Sequence, residues 1–128
     1  MTPSHRTDSL RAALTALVLV SILTATGASA SPDARGSAEI DQLLGDISNS
    51  GCTFIRSGKE FTGQEARRHL AFKYGFVRSR IDSADQFIRD LASASSTTGE
   101  PYHIRCADAQ TDARPWLEAR LKAARRQR

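Results

Sequence analysis

Long hydrophobic runs are missing from this chain of 128 residues. No apolar stretch reaches the roughly 18 residues needed to cross a bilayer, which excludes a multi-pass membrane protein. Cysteine is scarce: two residues cannot build a cysteine-rich scaffold or a four-thiolate zinc site. There is no C-x-x-C, so a dithiol redox centre has no motif to stand on. There is no Gly-x-Ser-x-Gly elbow of the kind that presents a nucleophilic serine. No internal repeat is found. Neither sign of charge dominates, with 18 Lys+Arg against 14 Asp+Glu. Charged residues at 25% beside 40% hydrophobic ones do not describe a disordered chain. The length allows one small domain.

What is present begins with an address. Arg6 and Arg11 precede an apolar stretch from Ala12 to Thr24, and Ala28-Ser29-Ala30 then follows. This is the basic, apolar, small-x-small order of a signal peptide, with cleavage expected after Ala30. The apolar part is too short to span a membrane. Residues 1–30 are therefore read as a signal peptide and 31–36 as a flexible leader. Residues 37–122 are read as the domain and 123–128 as a basic tail. Export places Cys52 and Cys106 in an oxidising compartment, where a disulfide is expected between them. Positive charge is concentrated at the end of the chain. Residues 31–119 carry 11 basic and 13 acidic side chains, and Arg120, Lys122, Arg125, Arg126 and Arg128 follow.

Periodicity supplies the elements. Ser37 reads as an N-cap, and Ile40, Leu43, Leu44 and Ile47 form one helical face. Cys52 to Arg56 and Lys59 to Phe61 read as a hairpin around Ser57-Gly58. Thr62-x-x-Glu65 is a capping box before a long helix, about 63–81, with Ala66, Leu70, Tyr74, Val77 and Ile81 inward. Ser83-x-x-Gln86 opens a third helix carrying Phe87, Ile88 and Leu91. Pro101 to Cys106 reads as a strand, 107–112 as a loop, and 113 to about 126 as a last helix. The order is α-β-β-α-α-β-α. The expected class is α+β, four helices on a small antiparallel sheet of two to three short strands, locked by one disulfide.

A set of motifs then stands out: Ser50-Gly51-Cys52-x-Phe54-Ile55-Arg56, Glu65-Ala66-x-x-His69-Leu70-x-x-Lys73, Ser83-Ala84-x-x-Phe87-Ile88, Ser95-Ser96-x-x-Gly99-x-Pro101-Tyr102, Cys106 and Trp116-Leu117. In kind and order they resemble the YfeK-like family of small exported bacterial proteins of unknown function, over about residues 37–122. The resemblance implies a periplasmic location and a single domain, and it supplies no activity.

The long helix has a second organised face. With Leu70 as origin, Glu65, His69, Phe72 and Phe76 fall at about 200–260° around the helix, opposite the core stripe. Either the helix is sandwiched and the two phenylalanines are buried, or the face meets a partner. Glu65 and His69, four residues apart, could share a hydrogen bond or a metal ion, with His103 as a possible third ligand. The plainer reading makes Glu65 the capping acid and His69 a partly buried histidine. Ser95 or Ser96 with His69 and Glu65 would write a hydrolase set, and the Ser95–Tyr102 loop is the best binding loop. The candidate binding face is thus Glu65, His69, Phe72, Lys73, Phe76, Ser95, Ser96 and Tyr102.

These residues favour a non-catalytic, exported binding module for a protein or envelope component, with no cofactor and no metal. The alternative is a small periplasmic hydrolase or metal-dependent enzyme using Glu65, His69 and the Ser95–Tyr102 loop. The basic end suggests an anionic membrane surface as a further partner. Nucleic acid is not expected, because no aromatics interleave with the arginines.

Overall fold

A computed structural model describes Pro3 and residues 32–128. Apart from Pro3, the signal-peptide reading of residues 1–30 lies outside the described residues. The elements run α1 Ala34–Asn49, β1 Thr53–Arg56, β2 Lys59–Phe61, α2 Gly63–Val77, α3 Ala84–Phe87, β3 His103–Cys106, β4 Ala109–Asp112 and α4 Ala113–Arg126. A 3-10 turn, Arg78–Arg80, ends α2, and a π turn, Ile88–Ala92, prolongs α3. The class is α+β, four helices on one antiparallel sheet ordered β2-β1-β3-β4.

Local chemistry explains most of the boundaries. Thr62 and Glu65 form the expected capping box, with side chain and backbone satisfied in both directions. Ser83 accepts from the Gln86 N–H at 3.1 Å, while the Gln86 side chain reaches one residue further back, to the Asp82 N–H at 2.9 Å. The β1–β2 turn puts Ser57 and Gly58 at φ 49° and 73°, the double positive φ that a tight hairpin requires. Phe54 faces Ile104 across β1 and β3, and both point into the helical layer. Phe54 also meets the Trp116 ring edge-on at 6.1 Å. Ile40, Leu43, Ile47, Phe87, Ile88 and Leu117 fill the centre of the core. Register sets Cys52 beside Cys106, and the two are bonded, with Cα atoms 4.5 Å apart.

Four corrections to the sequence reading follow. The sheet has a fourth strand, because residues 109–112 pair with β3 instead of forming a loop. The long helix stops at Val77, although Ile81 is still buried beyond the 3-10 turn. Residues 34–36 are helix rather than leader, since Asp33, not Ser37, is the N-cap and accepts from the Gly36 N–H at 2.7 Å. The domain does not end at 122: residues 123–126, set apart as part of a basic tail although the helical period already reached about 126, belong to it. Helix α4 runs to Arg126, and Ala124 is buried in the domain.

The last of these has an electrostatic cause. Glu39 on α1 is only 3% exposed. Its carboxylate accepts from Arg125 at 3.2 and 2.9 Å, from Arg128 at 2.8 Å and from Arg35 at 3.4 Å. The Arg125 hydrogen bond is the main reason that its pKa lies below the ordinary carboxylate value of 4.5. A depressed pKa means that this stability is present above pH 4.5 and is lost as the pH falls through the folded value. Glu39→Gln is expected to cost about 2 kcal/mol, as loss of hydrogen bonds to a charged group does. In a domain of this size that lowers the melting temperature by roughly 10 °C at neutral pH. The gap between variant and wild type should close as melts are taken at progressively lower pH. A gap independent of pH would show that packing, not charge, is what Glu39 supplies.

Candidate functional site

Helix α2 turns two faces outward from its core stripe. Leu70 and Tyr74 are buried, whereas Phe72 and Phe76, on the opposite side, are 67% and 71% exposed. Their rings touch edge to face, centroids 4.8 Å apart. The sandwiched alternative is therefore overturned. On the same side of the helix Arg68 is exposed, and Arg78 and Arg80 are exposed just past its end. Glu65 holds the Thr62 N–H at 2.8 Å and is occupied with capping; the hydrogen bond to Thr62 is the main reason its pKa is lowered.

The flank of α2 carries a different chemistry. Arg56, at the end of β1, brings Nη1 to 3.0 Å from Nε2 and 3.3 Å from Nδ1 of His69. Tyr102 Oη lies 3.5 Å from His69 Nε2. Lys73 Nζ donates to Tyr102 Oη at 3.1 Å, and to the carbonyls of Leu91 and Ala94 at 2.9 and 3.5 Å. Lys73 thus anchors the end of the π turn while supporting the tyrosine. Burial lowers the His69 pKa below its ordinary 6.5, and the charges of Arg56 and Lys73 lower it further. The imidazole is therefore neutral at pH 7 and accepts from Arg56. Burial also lowers the Lys73 pKa and raises that of Tyr102. Among the described residues, no carboxylate lies within salt-bridge distance of Arg56, Arg68 or Lys73.

Beneath His69 and Arg56 the helices and sheet leave a cavity of about 220 Å³. Its walls are mostly apolar, from Ile47, Phe54, Leu70, Ala92, Ala113 and Leu117, and its rim holds Arg56, Glu65, Arg68, His69 and Tyr102.

The structure brings together part of what the sequence singled out. His69, Lys73 and Tyr102 meet, and Phe72 meets Phe76. Ser95 and Ser96 do not join them. Ser95 Oγ accepts from the Thr97 and Thr98 N–H groups at 3.3 Å each, so it closes its own turn. No hydrogen bond links Glu65 to His69, and His103 pairs instead with Asp112 at 3.0 Å on the sheet. The serine, histidine and acid of a hydrolase set are thus not assembled, and among the described residues no group of three His, Cys, Asp or Glu could hold a metal ion. Arg56 was missed as a site residue. Its only local mark is its place at the end of a strand before a tight turn. At the basic end, Arg125 and Arg128 are engaged with Glu39, Arg125 also holds Asp85 at 2.7 Å, and Arg120 lies over the Trp116 ring at 4.8 Å. Lys122 and Arg126 are exposed.

A family model described as a family of unknown function, DUF5329, matches residues 34–125. A protein of Salmonella typhimurium described as the uncharacterized protein YfeK is 40% identical over 85 residues, which are 66% of this chain and 71% of that protein. No solved structure matches. The matched region runs from the start of α1 into the last turn of α4, and the chain belongs to this family.

Proposed function

We propose that this DUF5329 protein is an exported, non-catalytic binding module that docks a protein or other component of the cell envelope on the outer face of α2. The observation that carries the reading is the Phe72–Phe76 pair. Every other phenylalanine is buried or half-buried, yet these two stand in water against each other. Leaving two large aromatic side chains exposed forgoes roughly 1.5–3 kcal/mol each of burial free energy. Nothing in the fold requires them there. Aromatic side chains dominate binding interfaces, and cations beside them favour a partner with an acidic rim. Export is supported by the basic, apolar, small-x-small order of residues 1–30, and a disulfide suits an oxidising compartment.

The test is the double variant Phe72→Ala with Phe76→Ala. Exposed side chains have few contacts to lose, so its melting temperature is expected to stay within a few degrees of wild type. Crosslinking in intact cells, followed by recovery of the tagged protein from envelope extracts, should yield products with wild type that the variant does not give. Identical crosslinked products from both proteins would retire this face as the docking surface. So would a melt many degrees below wild type, which would make the pair structural.

A further inference from the structure

We propose that the cavity beneath His69 and Arg56 is a binding site for a small amphipathic monoanion, a straight-chain carboxylate with its head at Arg56 and its tail between α2 and α4. The site shares Arg68 with the edge of the aromatic face, but neither Phe72 nor Phe76 lines it and it does not depend on that reading. Three observations lead to it.

The first is the cavity itself. Its 220 Å³ has room for about seven groups the size of a water or a methylene, each taking roughly 30 Å³. Leu70, Phe54 and Leu117 offer such groups no hydrogen bonds, so the interior suits hydrocarbon better than water. The size is below the 300–1,000 Å³ of most drug-sized sites, which limits the ligand to a short chain.

The second is the charge at the rim. Arg56 and Arg68 are cations, Glu65 is an anion, and His69 is neutral, leaving a single net positive charge. Glu65 is held by the Thr62 N–H and turned to capping. A guanidinium presents a planar fork that fits a carboxylate with two parallel hydrogen bonds. Among the described residues Arg56 meets no carboxylate: its neighbours are the neutral His69 imidazole, the Tyr102 hydroxyl and the Phe61 ring, 5.1 Å away. Arg125, by contrast, has Glu39 and Asp85 as partners.

The third is the arrangement of further donors. Tyr102 Oη is supplied with a hydrogen bond from Lys73 and so has its own O–H available toward the rim, near His69 Nε2. Lys73 stands behind it, adding positive potential without entering the cavity. A carboxylate at Arg56 would therefore meet a fork, a hydroxyl and a second cation, with its chain leading into the apolar interior.

Octanoate is the probe, since its seven apolar carbons match the volume. The protein purified from cells expressing the full chain is titrated with octanoate and, separately, with octanol, and followed by proton–nitrogen correlation NMR. Octanoate should give saturable shifts at Leu70, Ala113 and Leu117 and at the Arg56 and Arg68 side chains. It should bind about tenfold more tightly than octanol, the difference that one charge-assisted contact makes. Arg56→Gln should abolish that preference while leaving octanol binding unchanged. Arg68→Gln, an exposed substitution with little to disturb in the fold, should reduce it. Equal affinity for acid and alcohol would overturn the proposal, since the charged rim would then recognise nothing. Shifts confined to Phe72 and Phe76, or no saturation at millimolar octanoate, would overturn it too.

Discussion

Replacing Cys52 and Cys106 together by alanine is expected to lower the melting temperature by about 20 °C. The bond closes a loop of 54 residues. In the chain-entropy account, a loop of that length contributes about 4 kcal/mol by restricting the unfolded chain. A domain of this size is stabilised by only some 5–15 kcal/mol in all, and each kcal/mol moves its melting point by roughly 4–8 °C. The location adds to the argument. Cys52 precedes β1 and Cys106 ends β3, the two middle strands of the sheet, so the crosslink fastens the one pairing that joins the two hairpins. Without it, β1–β2 and β3–β4 are local hairpins whose mutual pairing must be found across a long loop. The measurement is a thermal melt of the variant beside wild type with and without reductant. Reduced wild type should melt with the variant. A fall of only a few degrees would mean that packing of Phe54 and Ile104 already fixes the strand pairing.

That bond was legible in the sequence, as were the Thr62–Glu65 capping box, the Ser83 cap and the first hairpin, because each rests on chemistry close in the chain or on the expected compartment. Strand β4 was not. Ala109-Gln-Thr-Asp has no apolar alternation and is exposed along its length, so no period-two signal exists. Its turn also places Ala107 at φ 52°, where glycine or asparagine would have announced a hairpin. The C-terminal arginines misled for a related reason. A run of cations ending a helix reads as solvated, and nothing near it in the chain points to Glu39, which lies 86 residues from Arg125. The aromatic face of α2 could be read from helical period alone, but whether it was covered depended on tertiary packing. The cluster of His69, Lys73 and Tyr102 with Arg56 likewise combines a strand end, a helix flank and a loop, and only the fold brings them within hydrogen-bond reach.

The two glycines of α2 should respond in opposite directions to the same substitution. Gly63 is the first residue of the helix, and it is buried against the last turn of α1. A methyl added there would run into the carbonyl oxygen of Ile47, with that of Ser48 at 3.2 Å. Both obstacles are backbone and cannot rotate away, so α1 and α2 would have to separate. Both helices contribute to the one core cluster, α1 through Ile47 and α2 through Leu70, so their separation would loosen it. Gly63→Ala is therefore expected to cost about 3 kcal/mol, the upper part of the range for overpacking, and to lower the melting temperature by roughly 15 °C. Gly75 lies in the same helix with nothing within 4 Å of the added methyl. There alanine gains helix propensity and loses nothing, so Gly75→Ala should stabilise by about 0.5–1 kcal/mol. Because both changes remove the same backbone freedom from the unfolded chain, their difference isolates the close approach of α1 to α2. Equal melting temperatures for the two variants would show that the helices part without loss at this point.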